Sequence, residues 1–302
     1  MSRLLVCLAI IPSALGQIPD ALTEYTTREG VFTAAPGRWD SLIRERGWIM
    51  RDQGQWKMWY TGYREDDSSA NRMKLGYATS SDGIHWKRHS EQPIFDEVWV
   101  EDMMIVRRGR RLYMFAEGAR DQAQLLVSQD GITWKRQGAL DIRTTKGSPI
   151  PAGPYGTPTA WYEDGTWYLF YERRDAGIWL AVSTDMKTWT NVSDEPLIRP
   201  GPDDYDSLMI AMNQVIRLNG TYYALLHGTG SPQKPRDWCT YFAVSEDLRT
   251  WKKCSEGPVL PVKANRSSGV LVHDGKRYRL YTMHGRVDLH LPAEGRGDQA
   301  AP

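Results

Sequence analysis

Gly54-Gln-Trp-Lys-Met-Trp-Tyr60, followed by Leu75-Gly-Tyr-Ala-Thr-Ser-Ser-Asp-Gly-Ile-His-Trp86, is the stretch on which the fold turns. Its first half is a glycine turn feeding an aromatic, alternating segment, the pattern of a half-buried β-strand. Its second half ends in Ser80-x-Asp82-x-x-x-Trp86, and the same spacing returns as Ser128-Asp130-Trp134, Ser183-Asp185-Trp189 and Ser245-Asp247-Trp251. Four copies at one spacing point to an array of like units. The glycine turn and aromatic strand also return, at Gly109–Phe115, Gly165–Tyr171, Gly220–Leu226 and Gly275–Tyr281. Asp164-Gly165, Asn219-Gly220 and Asp274-Gly275 are dipeptides that favour tight hairpins.

Each unit reads as strand A, glycine turn, strand B, loop, strand C, the Ser-x-Asp-x-x-x-Trp turn, then strand D. Five A–B hairpins and four complete units imply an all-β, five-bladed β-propeller over residues 17–291. The fifth blade runs out near Leu291, and the segment around Gly30–Ala35 is the expected donor of its missing strand. Closure of that kind removes exposed sheet edges. Residues 292–302 read as a disordered tail. The repeated Asp is expected to cap its turn, and the repeated Trp to pack between blades.

The composition narrows the function classes. The 302 residues carry 38 Lys plus Arg against 37 Asp plus Glu. That balance argues against nucleic acid as a partner. Thirteen Trp and fifteen Tyr stand against five Phe, a bias that suits strand packing and stacking on sugar rings. Residues 1–16 read as a signal peptide: a basic start at Arg3, an apolar run from Leu4 to Pro12, and Ala14-Leu15-Gly16 before Gln17. The run is too short to span a membrane, and a secreted or periplasmic location follows. The alternative is a buried N-terminal strand. Cys239 and Cys254 flank the turn Ser245–Thr250 almost symmetrically, so a disulfide is expected, with two unpaired core cysteines as the alternative. The six His lack ligand spacing, and neither a metal nor a cofactor is expected.

Propeller geometry says where the chemistry sits. The start of strand A and the end of strand B open on one mouth of the channel. Candidate catalytic carboxylates there are Asp40 (blade one), Glu101, Asp102 and Glu117 (blade two) and Glu172 (blade three). Glu117 and Glu172 hold the same place in successive repeats, whereas blades one and four have Thr61 and His227 there. That asymmetry favours a site over a scaffold. Candidates to bind substrate are Arg44, Glu45, Arg46, Arg64, Trp99, Arg120, Tyr155, Arg173, His227, His284 and Arg286. Crowded carboxylates separate their pKa values, leaving one protonated as an acid and another ionised. Glycosidic cleavage needs that pair. Glu–Arg pairs that merely tie blades together are the structural alternative.

Trp56-Lys-Met-Trp-Tyr-Thr-Gly62 with Leu75–Trp86 resembles the five-bladed propeller glycoside hydrolases, among them families 32, 43, 62, 68, 117 and 130. The resemblance covers roughly residues 35–290 and implies this fold and a carbohydrate substrate. Glu101-Asp102 looks like the Glu-Asp pair that opens blade two in family 130. The Pro-Arg that follows there is Met103-Met104 here, which weighs against a mannoside phosphorylase. The expected function is thus a secreted glycoside hydrolase with Glu172 or Glu117 as acid and Asp102, Glu101 or Asp40 as base or modulator. A glycoside phosphorylase is a close variant, and a propeller that only binds glycan or protein is the rival. Channel carboxylates all locked to wall arginines would favour the rival.

Overall fold

The repeated turn explains itself atom by atom. Asp82 Oδ1 accepts the backbone N–H groups of Ile84 and His85, both at 2.8 Å, and Ser80 Oγ accepts that of Gly83 at 2.9 Å. Asp130, Asp185 and Asp247 make the same pair of backbone bonds in the next three blades. The position after each Asp is left-handed. It is Gly83 and Gly131 in two blades, and Met186 (φ 59°) and Leu248 (φ 64°) in the others. These turns also join blades. Trp59 Nε1 of blade one donates to Gly131 O at 2.7 Å, and Tyr281 Oη of blade five donates to Gly83 O at 3.0 Å.

The computed structural model describes residues 18–234 and 236–293. Blade one comprises strands A to D at Trp48–Asp52, Gln55–Tyr63, Lys74–Ser80 and Lys87–Arg88, with Leu42–Ile43 added beside B. Blade two comprises Glu101–Arg108, Arg111–Gly118, Gln122–Ser128 and Trp134–Ala139. Blade three is Gly156–Glu163, Thr166–Glu172, Ile178–Ser183 and Thr188–Asn191, with Asp141–Arg143 parallel to the last. Blade four is Met209–Leu218, Thr221–Thr229, Cys239–Ser245 and Lys252–Lys253. Blade five has A to C at Val270–His273, Tyr278–Met283 and Arg286–Pro292.

The N-terminal strand Tyr25–Thr33 pairs antiparallel with Arg286–Pro292 and supplies the fourth strand of blade five. It starts five residues before the expected donor. The A strands touch one another in ring order, one to two, two to three and so on back from five to one, so they line the channel. The described residues hold no α-helix and three short 3-10 segments. No helix among them is long and apolar enough to cross a membrane. The signal peptide read at 1–16 lies outside the described residues. Of the tail read at 292–302, Pro292 pairs with Tyr25 and Ala293 N donates to Glu24 O, while the rest lies outside them.

The expected disulfide is absent. Cys239 and Cys254 are both buried free thiols. The register of blade four puts Cys254 N on Phe242 O, three residues along strand C from Cys239. The two thiols fall in different core clusters. Cys239 packs with Tyr241 and Leu226, and Cys254 with Phe242 and Leu260.

Candidate active site

A bulge shapes the mouth. In blade two Glu101 faces Glu117 across the A–B pair, and the register then slips before Met104 meets Phe115. Asp102, inside the slip, is left-handed at φ 46°. Blade three repeats this: Gly156 faces Glu172, the register slips before Thr159, and Thr157 has φ 46°. The equivalent residues of blades one and five, Arg46 (φ 53°) and Ser268 (φ 57°), are left-handed too. Bulges re-aim side chains, and non-glycine residues in this region carry strain that concentrates at functional sites. All four are buried and polar.

Arg46 is the hub. Its Nη1 donates to Asp102 O at 2.7 Å, and its Nη2 to Pro158 O at 2.9 Å and Thr159 Oγ1 at 2.6 Å, with Asn213 O at 3.5 Å. One guanidinium from blade one thus joins blades two, three and four across the channel. Its charge also lies close enough to favour the ionised forms of Asp102 and Glu172.

The carboxylates crowd on blades two and three. Glu101, Glu117 and Asp121 each offer an oxygen, all within 4.8 Å of one another. That spacing fits a divalent cation, but acidic clusters of this kind are common without one. Thr157 N donates to Glu117 Oε2 at 2.8 Å and Gly156 N to Glu172 Oε1 at 3.1 Å. Both oxygens lie within 2.7 Å of where a Cβ at residue 156 would sit, so only glycine fits there. Glu101 is held by Trp99 Nε1 at 2.7 Å and Arg44 Nε at 2.8 Å. Among the described residues, Asp102, Glu117 and Glu172 have no ion-pair partner within salt-bridge distance, and Asp102 Oδ1 is buried without a hydrogen bond.

Electrostatics follow from that crowding. Burial, then the charges of Glu45 and Glu101, pushes Asp102 well above the usual carboxylate range. Burial, then Asp102 and Glu101, does the same to Glu117. Burial raises Glu172, and burial with Glu172 pushes Asp175 up to about 7. Each of these shifts favours the protonated carboxyl over the carboxylate.

Blades four and five present the opposite chemistry. His227, whose pKa burial lowers to about 3, is neutral and shares a 2.7 Å hydrogen bond between Nδ1 and Asn213 Oδ1. Asn213 Nδ2, Ser268 Oγ and Arg236 Nε are buried without acceptors. His284 Nδ1 lies 3.1 Å from Ser267 Oγ and 3.3 Å from Glu45 Oε2. One side of the mouth thus has surplus acceptors and the other surplus donors.

Of the residues expected at the site, Glu101, Asp102, Glu117, Glu172, Arg44, Glu45, Arg46, Trp99, His227 and His284 gather here. Asp40 does not. It is fully buried behind blade one, where Tyr60 Oη (2.9 Å) and Arg88 Nε (2.6 Å) donate to Oδ2. Blade four has the counterpart in buried Asp206 with Lys253, so this Asp is a repeated structural device. Arg64 pairs with Asp66 in an exposed loop, and Arg286 with Asp288 and Glu29. Arg173 donates to the carbonyls of Pro151, Ala152 and Pro154 and shapes that loop. Tyr155 N donates to Asp121 O, and Arg120 is exposed in the turn that carries Asp121. Sequence reasoning missed Asp121, Asp175 and Arg236. The first two follow Glu117 and Glu172 closely, in turns whose paired left-handed residues, Arg120-Asp121 and Arg174-Asp175, fold the chain back over the mouth.

A family model described as β-1,4-mannooligosaccharide phosphorylase matches residues 55–263. The chain belongs to that family, glycoside hydrolase family 130. Replacement of Pro-Arg by Met103-Met104 has therefore not taken it out of the family. A 1,2-β-oligomannan phosphorylase of Thermoanaerobacter sp. (strain X514) is 29% identical over 192 residues, 59% of this chain and 55% of that protein. The chain thus matches about half the length of that curated relative. Among solved structures, a glycosyl hydrolase from Bacteroides ovatus superposes with a TM-score of 0.76 at 16% identity, covering 95% of this chain and 99% of that one. Another superposes at 0.74 and 17% identity, covering 96% and 99%. It is described under the statement that the family 130 mannoside phosphorylases contain hydrolases targeting β-1,2-mannosidic linkages in Candida mannan. These likenesses establish the five-bladed fold.

Proposed function

We propose that the chain cleaves a β-mannosidic bond by transferring the glycosyl residue to inorganic phosphate. The observation that carries this reading is the crowding of Glu101, Glu117 and Asp121 within 4.8 Å. An inverting hydrolase keeps its acid and base about 6.5–9.5 Å apart so that a water fits between them. No such gap separates these three. Phosphate brings its own nucleophilic oxygen, so a single acid suffices. Family membership supports the same reading.

Asp121 is the exposed member of the trio and the group assigned to meet substrate. Glu117, whose pKa burial raises, passes its proton by way of Asp121 to the leaving oxygen as the bond to the anomeric carbon breaks. A phosphate oxygen forms the new bond from the opposite face. The proton that the attacking phosphate gives up returns to Glu117, so the cycle closes without water. Asn213 Nδ2, Ser268 Oγ and Arg236 Nε are assigned to hold sugar or phosphate oxygens, since buried donors left unpaired are costly. Export through the leader read at 1–16 belongs to the same proposal.

Hydrolysis is the second reading. It is favoured by the state of the arginines at the mouth: Arg44 is taken by Glu45 and Glu101, and Arg46 by backbone carbonyls and a threonine hydroxyl. The test is product analysis on β-1,2- and β-1,4-mannooligosaccharides with and without phosphate. Glycosyl phosphate formed only with phosphate is the expected result. Free mannose released equally in both would establish hydrolysis instead. Saturable binding without turnover would leave a glycan-binding propeller.

A further inference from the structure

Arg46 divides the channel. Past its contacts at Thr159 and Asn213, the A strands run on to the opposite face and enclose a cavity of about 400 Å³. Trp48, Trp161, Tyr162, Arg107, Arg108 and Arg217 are among its walls. Trp161 and Tyr162 are half-buried, and the Trp48 indole N–H is buried without an acceptor. The A–B turn of blade two, Arg107-Arg108-Gly109-Arg110-Arg111, brings Arg107 and Arg108 to its wall. Asp52 holds Arg107 at 2.7 Å, and Glu163 holds Arg217 at 2.6 Å. Arg108 sits 3.7 Å above the Tyr162 ring and has no carboxylate within ion-pair distance among the described residues.

Asp52 and Glu163 neutralise Arg107 and Arg217, and Glu163 also accepts from Trp161 Nε1 at 3.4 Å, which leaves Arg108 as the unneutralised cation of this cavity among the described residues. An aromatic face takes the apolar side of a sugar ring. An unneutralised guanidinium takes an anion. The size suits a small ligand, being near the lower end of usual pocket volumes. We propose that this back cavity binds an anionic monosaccharide, its ring on Trp161 and its phosphate or carboxylate on Arg108. The site is separated from the front mouth by Arg46 and does not depend on which reaction occurs there.

Calorimetric titration of the full chain with mannose 1-phosphate, glucuronate and mannose tests this. The wild type is expected to bind at least one of the two anions at a site that neutral mannose does not occupy. Which anion binds tells phosphate from carboxylate. Arg108→Gln and Trp161→Ala are each expected to weaken that binding at least about tenfold, leaving turnover at the front mouth unchanged. Arg108 is exposed, so its variant decides the matter if Trp161→Ala does not fold. Anion binding equal in wild type and Arg108→Gln, or absent from the wild type, would overturn the proposal.

Discussion

At the scale of single residues, the mouth sets buried carboxyls of raised pKa behind one exposed carboxyl, Asp121. Asp121 joins Glu117 and Glu101 with no structural bond from its side chain among those described, whereas Glu117 and Glu172 are anchored to backbone N–H groups. Asp121→Asn is therefore expected to lower kcat by about 10²–10⁴-fold. Its melting temperature should stay near wild type, as read by calorimetry. The carboxyl groups of Asp102, Glu117, Glu172 and Asp175 all titrate above their unfolded values. The native state then binds more protons than the unfolded chain, so stability falls as pH rises. For Asp175 the loss runs from about 4, the unfolded value, to about 7. Urea midpoints at pH 5 and pH 8 should differ in that direction, and Asp175→Asn should shrink the difference. Glu117 and Glu172 were legible in the sequence because they hold one place in two repeats and not in the others. Asp121 and Asp175 were not, since a polar pair after a strand looks like any solvated turn until its left-handed backbone is seen. Asp40 misled for the converse reason: its position matches a mouth residue, but Arg88 and Tyr60 draw it behind the sheet.

At the scale of elements, the turn and the bulge do different jobs. The Ser-x-Asp-x-x-x-Trp turn was readable as structure because it recurs in four blades, and its bonds are internal caps. The bulge at the start of strand A leaves no such signature. Arg46, Asp102, Thr157 and Ser268 share a conformation but no residue type. Strand pairing in blade four was likewise invisible. Symmetry about a turn suggested that Cys239 faces Cys254, yet the register places Cys254 opposite Phe242. Addition of dithiothreitol is accordingly expected to leave the melting temperature unchanged. A drop of several degrees would mean the two thiols are bonded.

At the scale of the whole molecule, one arginine joins four blades and separates two ends of a channel. Arg46→Met leaves Asp102 O, Pro158 O and Thr159 Oγ1 without their shared donor in a closed interior. The expected cost is on the order of 3 kcal/mol, read from the denaturant midpoint. An unchanged midpoint would show that the ring closes without it. The near-zero net charge of the chain conceals a polarity, with carboxylates gathered at one mouth and an arginine turn at the other. That asymmetry arises from which strand ends face which way, so composition alone does not express it. The central claim is direct transfer at the carboxylate mouth, and proton and phosphorus NMR of the initial product from β-mannobiose and phosphate tests it most directly. A single displacement requires the α-anomer of mannose 1-phosphate from the wild type and none from Asp121→Asn. The β-anomer, or free mannose formed at the same rate without phosphate, would contradict it.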